Sequence, residues 1–196
     1  MGLPHYFTLL RLLLGPLFLV VYLYYGKMGI TLSALPYVLL VLMAISELSD
    51  LFDGFFARRK NQVTELGKIL DPMADSIFRL SVFLSFTQGF IKLPLLLVLP
   101  FFYRDMIIST LRTLSAMRGV TMAARLSGKI KAVIQAVAAF FIIVLMIPYS
   151  RGVLDIQDLR QLSFISVLVA CIYTLYSGLE YIYANRSYIK KALMKP

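Results

Sequence analysis

Six apolar segments follow one another along this 196-residue chain, and each approaches the length that an α-helix needs to cross a lipid bilayer. The hydrocarbon core of a membrane is spanned by about 20 consecutive apolar residues. In chain order the segments cover residues 8–25, 32–58, 67–90, 93–117, 132–149 and 161–179. Their succession predicts an all-α integral membrane protein, a bundle of six transmembrane helices. Because the connections are short, we expect a single transmembrane domain over residues 1–196.

The composition excludes the soluble classes of protein. Hydrophobic residues make up 60% of the chain and charged residues only 15%, and the mean hydropathy is +0.81. A soluble domain carries about 25% charged residues, so this chain has too little polar surface to cover a water-soluble globule. A soluble enzyme, a disordered region and a secreted disulfide scaffold are therefore excluded, and the single Cys171 cannot form an internal disulfide.

The basic residues predict how the chain is oriented in the membrane. Lys and Arg number 20 against 10 acidic residues, a net charge of +10, which in a membrane protein indicates loops facing anionic lipid and no nucleic acid partner. With the N-terminus inside, the outer connections hold only Lys27, Lys92, Arg151 and Arg160. We therefore expect both termini in the cytoplasm, as in a bacterial-type inner membrane. Arg11, near the start of the first segment, is able to extend its side chain towards the membrane surface.

Two pairs of aspartates interrupt the second and third segments. Asp50 and Asp53 are three residues apart, and Asp71 and Asp75 are four apart, so each pair shares one face of its helix. A short connection makes these two helices an antiparallel pair. We therefore expect the four carboxylates to meet near the cytoplasmic surface of the membrane.

Clustered carboxylates in a low-dielectric setting repel one another unless they are protonated or neutralised. Oxygen ligands of this kind suit Mg²⁺, Mn²⁺ or Ca²⁺, whereas zinc favours His and Cys. The alternative is that each aspartate pairs with a nearby arginine, such as Arg58, Arg79 or Arg104. The regular spacing of the four aspartates favours a metal site.

Small residues accompany the aspartates on the same helix faces. Gly54, Ala57 and Gly67 each lie within about one turn of an aspartate. Small residues can simply allow close helix packing in membranes, but beside a metal site they also leave room for a ligand. Arg58 adds a guanidinium fork that suits phosphate. Together these residues suggest a site for a metal-bound pyrophosphate.

The run from Asp50 to Asp75 resembles the signature of the CDP-alcohol phosphatidyltransferase family. The eight fixed positions are all present at their spacing: Asp50, Asp53, Gly54, Ala57, Arg58, Gly67, Asp71 and Asp75. The resemblance covers essentially the whole chain and implies transfer of a phosphatidyl group from CDP-diacylglycerol to an alcohol, with release of CMP. It also implies six transmembrane helices, with the signature on the second and third, and a homodimer.

The resemblance further implies a role for each residue of the signature. Asp50, Asp53 and Asp71 are expected to hold two divalent cations, Mg²⁺ or Mn²⁺. Asp75 is expected to act as a further metal ligand and as the general base on the acceptor hydroxyl. The residues expected to bind CDP-diacylglycerol are Gly54, Ala57, Arg58, Thr64 and Gly67. Thr64 has an alternative role as the N-cap of the third helix.

Basic residues in and after the fourth segment predict a site for the acceptor. The residues expected to bind the phosphate of sn-glycerol 3-phosphate are Arg104, Arg112, Lys129 and Lys131. Arg104 lies inside an apolar run and Arg112 follows about two turns later, so both can point into the bundle. Arg79, one turn after Asp75, could join them or pair with Glu47.

Four further segments bear on the identity of the acceptor. Residues 4–11, 70–75, 103–105 and 128–131 resemble the branch of the family that makes phosphatidylglycerophosphate. Inositol phosphate, serine and phosphatidylglycerol are alternative acceptors, although serine would not need a phosphate clamp. A different class of protein, a divalent-cation transporter, would need polar residues leading through to the outer face. The uncharged fifth and sixth segments disfavour such a pathway.

Overall fold

The computed structural model describes the backbone of residues 3–59, 65–117 and 125–189, and the side chains of residues 8–49, 72–115, 117 and 125–189. Six long helices account for most of this backbone: α1 (Leu3–Tyr24), α2 (Leu35–Arg59), α3 (Glu65–Thr87), α4 (Leu95–Met117), α5 (Leu126–Ser150) and α6 (Ile156–Ala184). A further turn of helix covers residues 186–189. The described residues contain no β-strand, so the prediction of an all-α fold is confirmed for them.

The long helices agree with the predicted segments in number and order, and differ from them mainly at the ends. α5 begins at Leu126, six positions before the uncharged segment, and α6 continues beyond residue 179 to Ala184. The reason is that hydropathy marks only the apolar part of a helix. Backbone hydrogen bonding continues through polar turns such as the one that contains Ser127 and Lys129.

An aromatic core joins α1, α3 and α4 at one end of the bundle. Phe86 of α3 lies edge-on to Phe18 and Tyr22 of α1, with ring centroids 5.9 and 5.5 Å apart. Phe83 of α3 meets Phe101 of α4 at 4.8 Å. Edge-to-face pairs of this kind stabilise beyond the area that they bury. α6 packs against α4 and α5, and α2 completes the bundle against α1 and α5.

Tyr22 also closes the turn that follows α3. Its hydroxyl donates a hydrogen bond to the Gln88 carbonyl (3.3 Å) and accepts one from the Ile91 N–H (3.4 Å). Gly89 lies against the same ring, because a Cβ at this position would be 2.9 Å from Cε1 of Tyr22, and its φ is +65°. The close contact and the positive φ both require glycine.

Two helices of the described chain are clear candidates for membrane spans. α5 and α6 reach a mean hydropathy of 2.6 and 1.9 over 18 residues. The uncharged parts of α1 and α2, Thr8–Tyr24 and Leu35–Ser49, are shorter, and charged residues interrupt α3 and α4. Large apolar side chains are exposed on the outer faces of the helices, as at Leu96, Val137 and Leu179. A helix that is apolar on all sides is typical of a membrane span; the other four spans stay a prediction.

Candidate active site

Polar and charged side chains collect at the end of the bundle opposite the aromatic core. This polar end consists of the N-terminal halves of α1, α3 and α5 and the C-terminal halves of α2, α4 and α6. Side-chain contacts connect most of these segments. Arg11 of α1 contacts Asp75 of α3, and Lys131 of α5 contacts Asp105 of α4. The aspartate signature belongs to this end, since it covers the end of α2 and the start of α3.

Asp75 is the signature carboxylate whose contacts the structure describes. Its Oδ1 accepts a hydrogen bond from Arg11, and its Oδ2 lies 3.4 Å from the NH2 group of Arg79. The Arg11 side chain is only 1% exposed, and that of Asp75 is 22% exposed. For Asp75, therefore, the alternative of pairing with arginine is what the structure shows. Two guanidinium groups hold this carboxylate from opposite oxygens.

Arg11 does not extend to the membrane surface. Its side chain is fully buried between the helices, because the carboxylate of Asp75 lies at the same level on the neighbouring α3. A charge inside the bundle is tolerated where a partner of opposite sign is present. The signal that could have identified Arg11 is the coincidence of one arginine and one aspartate inside two apolar segments.

Arg79 connects the aspartate signature with the basic residues of the other helices. Its NH1 group donates a hydrogen bond to the Ala132 carbonyl of α5 at 3.2 Å, while its NH2 group faces Asp75. Ala132 follows Lys131 directly in the chain. Of the two roles expected for Arg79, these contacts favour the one beside the basic residues.

Arg104, Asp105 and Lys131 form a buried cluster between α4, α5 and α6. The Lys131 Nζ lies 2.8 and 2.9 Å from the two carboxylate oxygens of Asp105, and the NH1 group of Arg104 lies 2.9 Å from Oδ1. The side chains of Lys131 and Arg104 are 6% and 11% exposed. Two cations share one carboxylate here, so these three side chains carry one positive charge in excess. Such an excess favours an anionic ligand.

The guanidinium group of Arg104 is fixed on one side and has hydrogen-bonding capacity left over. Its NH2 group donates to Ser177 Oγ of α6 at 2.9 Å. Its Nε is buried and has no hydrogen-bond partner among the described residues. A buried donor without a partner costs about 1–3 kcal/mol. An oxygen of a bound phosphate would satisfy it, because the arginine fork matches phosphate geometry.

The other two residues predicted to bind the acceptor lie outside this cluster. Arg112, about two turns along α4, donates from Nε to the hydroxyl of Tyr181 at 3.2 Å, and its guanidinium carbon is 5.2 Å from the centre of the Tyr181 ring. Lys129 is exposed. The structure therefore brings together Arg104 and Lys131. Arg112 contacts Tyr181 instead, and Lys129 lies at the surface of the polar end.

A polar face of α6 was missing from the sequence-based prediction. Thr174, Ser177 and Tyr181 follow one another at spacings of three and four residues and are all buried. Thr174 accepts a hydrogen bond from Gln135 of α5 at 3.1 Å. Polar residues at helical spacing inside an apolar segment are the signal that could have identified this face. Ser177 accepts a hydrogen bond from Arg104, and Tyr181 accepts one from Arg112.

The remaining signature residues are described by their backbone alone. These helical positions are Asp50, Asp53, Gly54, Ala57 and Arg58 at the end of α2, and Gly67 and Asp71 at the start of α3. Their side chains, and the whole of Thr64, lie outside the described residues. In a helix, positions three or four apart share a face, and α2 contacts α3. Among the side chains that are described, no group of three or more His, Cys, Asp or Glu could hold a metal ion.

The carboxylate positions fit a hard divalent cation by their chemistry. Four aspartates, all in the last turns of α2 and the first turns of α3, would provide only oxygen donors. Mg²⁺ and Mn²⁺ prefer such donors. Part of the hydrogen-bonding capacity of Asp75 is already used by Arg11 and Arg79.

Comparison with known proteins agrees with the signature. A family model described as CDP-alcohol phosphatidyltransferase matches residues 1–177. A Bacillus subtilis (strain 168) protein named CDP-diacylglycerol–glycerol-3-phosphate 3-phosphatidyltransferase is 30% identical over 195 residues, 96% of this chain and 97% of that protein. A Rickettsia typhi protein of the same name is 28% identical over 95% of this chain and 98% of its own length. One from Aquifex aeolicus is 44% identical over 87 residues, 44% of each chain.

Proposed function

The chain belongs to the CDP-alcohol phosphatidyltransferase family, and we propose that it transfers the phosphatidyl group of CDP-diacylglycerol to sn-glycerol 3-phosphate. The products are phosphatidylglycerophosphate and CMP. The observation that carries this choice of acceptor is the buried cluster of Arg104, Asp105 and Lys131, whose excess positive charge suits a phosphate ester. The names of the similar proteins from Bacillus and Rickettsia support the same acceptor.

The acceptor phosphate would bind at Arg104 and Lys131, with Arg112 and Lys129 as further cationic contacts nearer the surface. Arg79 separates this group from Asp75, since it contacts Asp75 on one side and the Ala132 carbonyl on the other. An acceptor held by its phosphate could thus extend a hydroxyl towards Asp75. Holding the reacting groups in place in this way lowers the entropic part of the barrier.

Asp75 would act as the general base. Its carboxylate would take the proton of the acceptor hydroxyl while the hydroxyl oxygen attacks the phosphorus of the phosphatidyl group and the bond to CMP breaks. Arg11 and Arg79 would hold the carboxylate in one orientation during this step. A carboxylate must lie within hydrogen-bond reach of the proton that it accepts, so a fixed orientation contributes directly to the rate.

The donor would bind along the signature itself. Gly54, Ala57, Arg58, Thr64 and Gly67 would surround the cytidine and the pyrophosphate, and the acyl chains would remain in the bilayer. Asp50, Asp53 and Asp71 would hold two divalent cations, Mg²⁺ or Mn²⁺, with Asp75 as a further ligand. When bound, these cations would neutralise the pyrophosphate and stabilise the negative charge on the leaving CMP.

We further propose a single domain of six transmembrane helices, with both termini and the polar end on the cytoplasmic side of a bacterial-type inner membrane. Supporting this orientation, Arg125, Lys129 and Arg186 are exposed at the polar end, and cytoplasmic loops are enriched in such residues. The family resemblance supports a homodimer. A divalent-cation transporter is disfavoured because the described core at the opposite end is aromatic and aliphatic.

The test is an activity assay with purified protein in detergent micelles. CDP-diacylglycerol is supplied with sn-glycerol 3-phosphate, inositol phosphate, serine or phosphatidylglycerol in turn, and the release of CMP is measured. We expect kcat/KM to be highest with sn-glycerol 3-phosphate. Equal or higher values with serine, which has no phosphate, would refute the proposed acceptor. The absence of CMP release with all four acceptors would refute the transferase activity.

A further inference from the structure

Arg104 extends from α4 into the space between α5 and α6 at a level where each of those helices has a glycine. A Cβ at Gly178 of α6 would lie 3.1 Å from Cγ of Arg104, and a Cβ at Gly128 of α5 would lie 3.3 Å from its NH2 group. Carbon atoms in favourable contact are about 3.5–4.0 Å apart. Any residue larger than glycine at Gly178 would therefore displace the stem of the arginine.

The far end of the same side chain is held by hydrogen bonds. Asp105 accepts from the NH1 group and Ser177 accepts from the NH2 group, each at 2.9 Å. Arginine has five N–H donors in a rigid plane. The hydrogen bonds to Asp105 and Ser177 fix the plane of the guanidinium group. Its Nε donor has no hydrogen-bond partner within the described part of the chain.

We propose that Gly128 and Gly178 are positioning residues that form a slot for Arg104, in which Asp105 and Ser177 orient its guanidinium group towards the phosphate of the acceptor. The inference rests on the proposed function, because it takes Arg104 as a ligand of that phosphate. The slot makes the enzyme selective for an acceptor that carries phosphate. A planar fork binds phosphate through two parallel hydrogen bonds, and this geometry is lost when the plane is displaced.

The experiment changes the position of Arg104 without changing any charge. Gly178→Ala places a methyl group against the arginine stem, and Ser177→Ala removes one of its hydrogen bonds. The matched controls are Gly26→Ala, where a Cβ would meet no atom within 4 Å, and Ser166→Ala, whose hydroxyl donates to the Ser163 carbonyl of its own helix at 2.8 Å. For each variant, kcat, the KM for both substrates and the melting temperature are measured.

We expect Gly178→Ala to raise the KM for sn-glycerol 3-phosphate by about tenfold, the effect of losing one charge-assisted hydrogen bond. The KM for CDP-diacylglycerol and the melting temperature should stay at the level of the controls, because alanine is intrinsically more favourable than glycine in a helix. Ser177→Ala should raise the same KM to a smaller extent. It provides the test on its own if Gly178→Ala does not fold.

The outcomes distinguish the slot from the function on which it rests. If Gly178→Ala and Ser177→Ala have the same KM values as their controls while Arg104→Ala raises the KM for sn-glycerol 3-phosphate, the positioning role of the slot is refuted and the proposed acceptor site is retained. A lower melting temperature of Gly178→Ala with unchanged KM values would show that Gly178 serves packing alone, and would also overturn the inference. If Arg104→Ala leaves the acceptor KM unchanged, the proposed acceptor site is itself wrong.

Discussion

The ion pair between Arg11 and Asp75 allows the stability and the chemistry of the polar end to be measured separately. Asp75→Asn keeps the size of the side chain and one oxygen that can accept from Arg11, but it removes the negative charge and the basicity. Arg11→Met removes the buried positive charge and fills most of its volume. The two single variants and the double variant form a thermodynamic cycle for two residues in direct contact.

The expected magnitude follows from the burial of the two groups. Removing one partner of a buried ion pair costs about 3–5 kcal/mol, because the other charge is left without compensation. Asp75→Asn removes the carboxylate that Arg11, only 1% exposed, shares with Arg79, so we expect the high end of that range for this variant. Arg11→Met leaves Arg79 beside a carboxylate that is 22% exposed, so we expect the low end for it. The coupling energy between the two positions should be about 2 kcal/mol, within the range for contacting residues. The double variant should therefore be clearly more stable than the sum of the single effects implies.

Stability is measured by denaturant titration in detergent micelles, and activity by CMP release from the same preparations. We expect kcat to fall by about 10²–10⁴-fold in both variants that carry Asp75→Asn, since positioned acid–base catalysis is lost. The double variant should recover stability without recovering activity. A coupling energy near zero would refute the buried ion pair, and near-normal kcat in either Asp75→Asn variant would refute Asp75 as the base.

Three further predictions concern the acceptor, the metal and the orientation. Lys131→Ala should raise the KM for sn-glycerol 3-phosphate by about 10–150-fold, the equivalent of 1.5–3 kcal/mol, and leave the KM for CDP-diacylglycerol unchanged. Lys27→Ala, at the opposite end of the bundle, is the control, and an equal rise of the acceptor KM in both variants would contradict the acceptor site. A chelator should abolish CMP release and added Mg²⁺ or Mn²⁺ should restore it, whereas turnover in excess chelator would exclude a required metal. In a Cys171→Ser background, an impermeant maleimide applied to intact cells should label Arg151→Cys and not Arg186→Cys. The reverse labelling pattern would show that the chain has the opposite orientation in the membrane.

The helices and the aspartate signature could be predicted because both are local properties of the sequence. Hydropathy over about 20 residues marks a span, and spacings of three and four place side chains on one helix face. The position of Arg104 inside the bundle also follows from its apolar neighbours. These features depend on residues close together in the chain, so no knowledge of helix packing is needed to find them.

The partners of these charged residues could not be predicted in the same way. Lys131 meets Asp105 across 26 positions, and Arg104 meets Ser177 across 73. Which residues face each other depends on how neighbouring helices are rotated and shifted, and periodicity within one helix does not determine either. Arg11 shows the consequence, because its apolar neighbours in the chain do not reveal that Asp75 lies at the same level on α3.

The distribution of charge at the polar end bears on how two anionic substrates could meet in one site. Arg11 and Arg79 contact Asp75, and Arg104 and Lys131 contact Asp105, so these contacts join four cations to two carboxylates. In the proposed reaction, the cationic residues would receive the acceptor phosphate, and the signature aspartates would hold divalent cations that neutralise the pyrophosphate of the donor. The acceptor phosphate would otherwise be repelled by the aspartates. Arg79 lies between the two groups of charges and reduces that repulsion where the acceptor hydroxyl must approach Asp75.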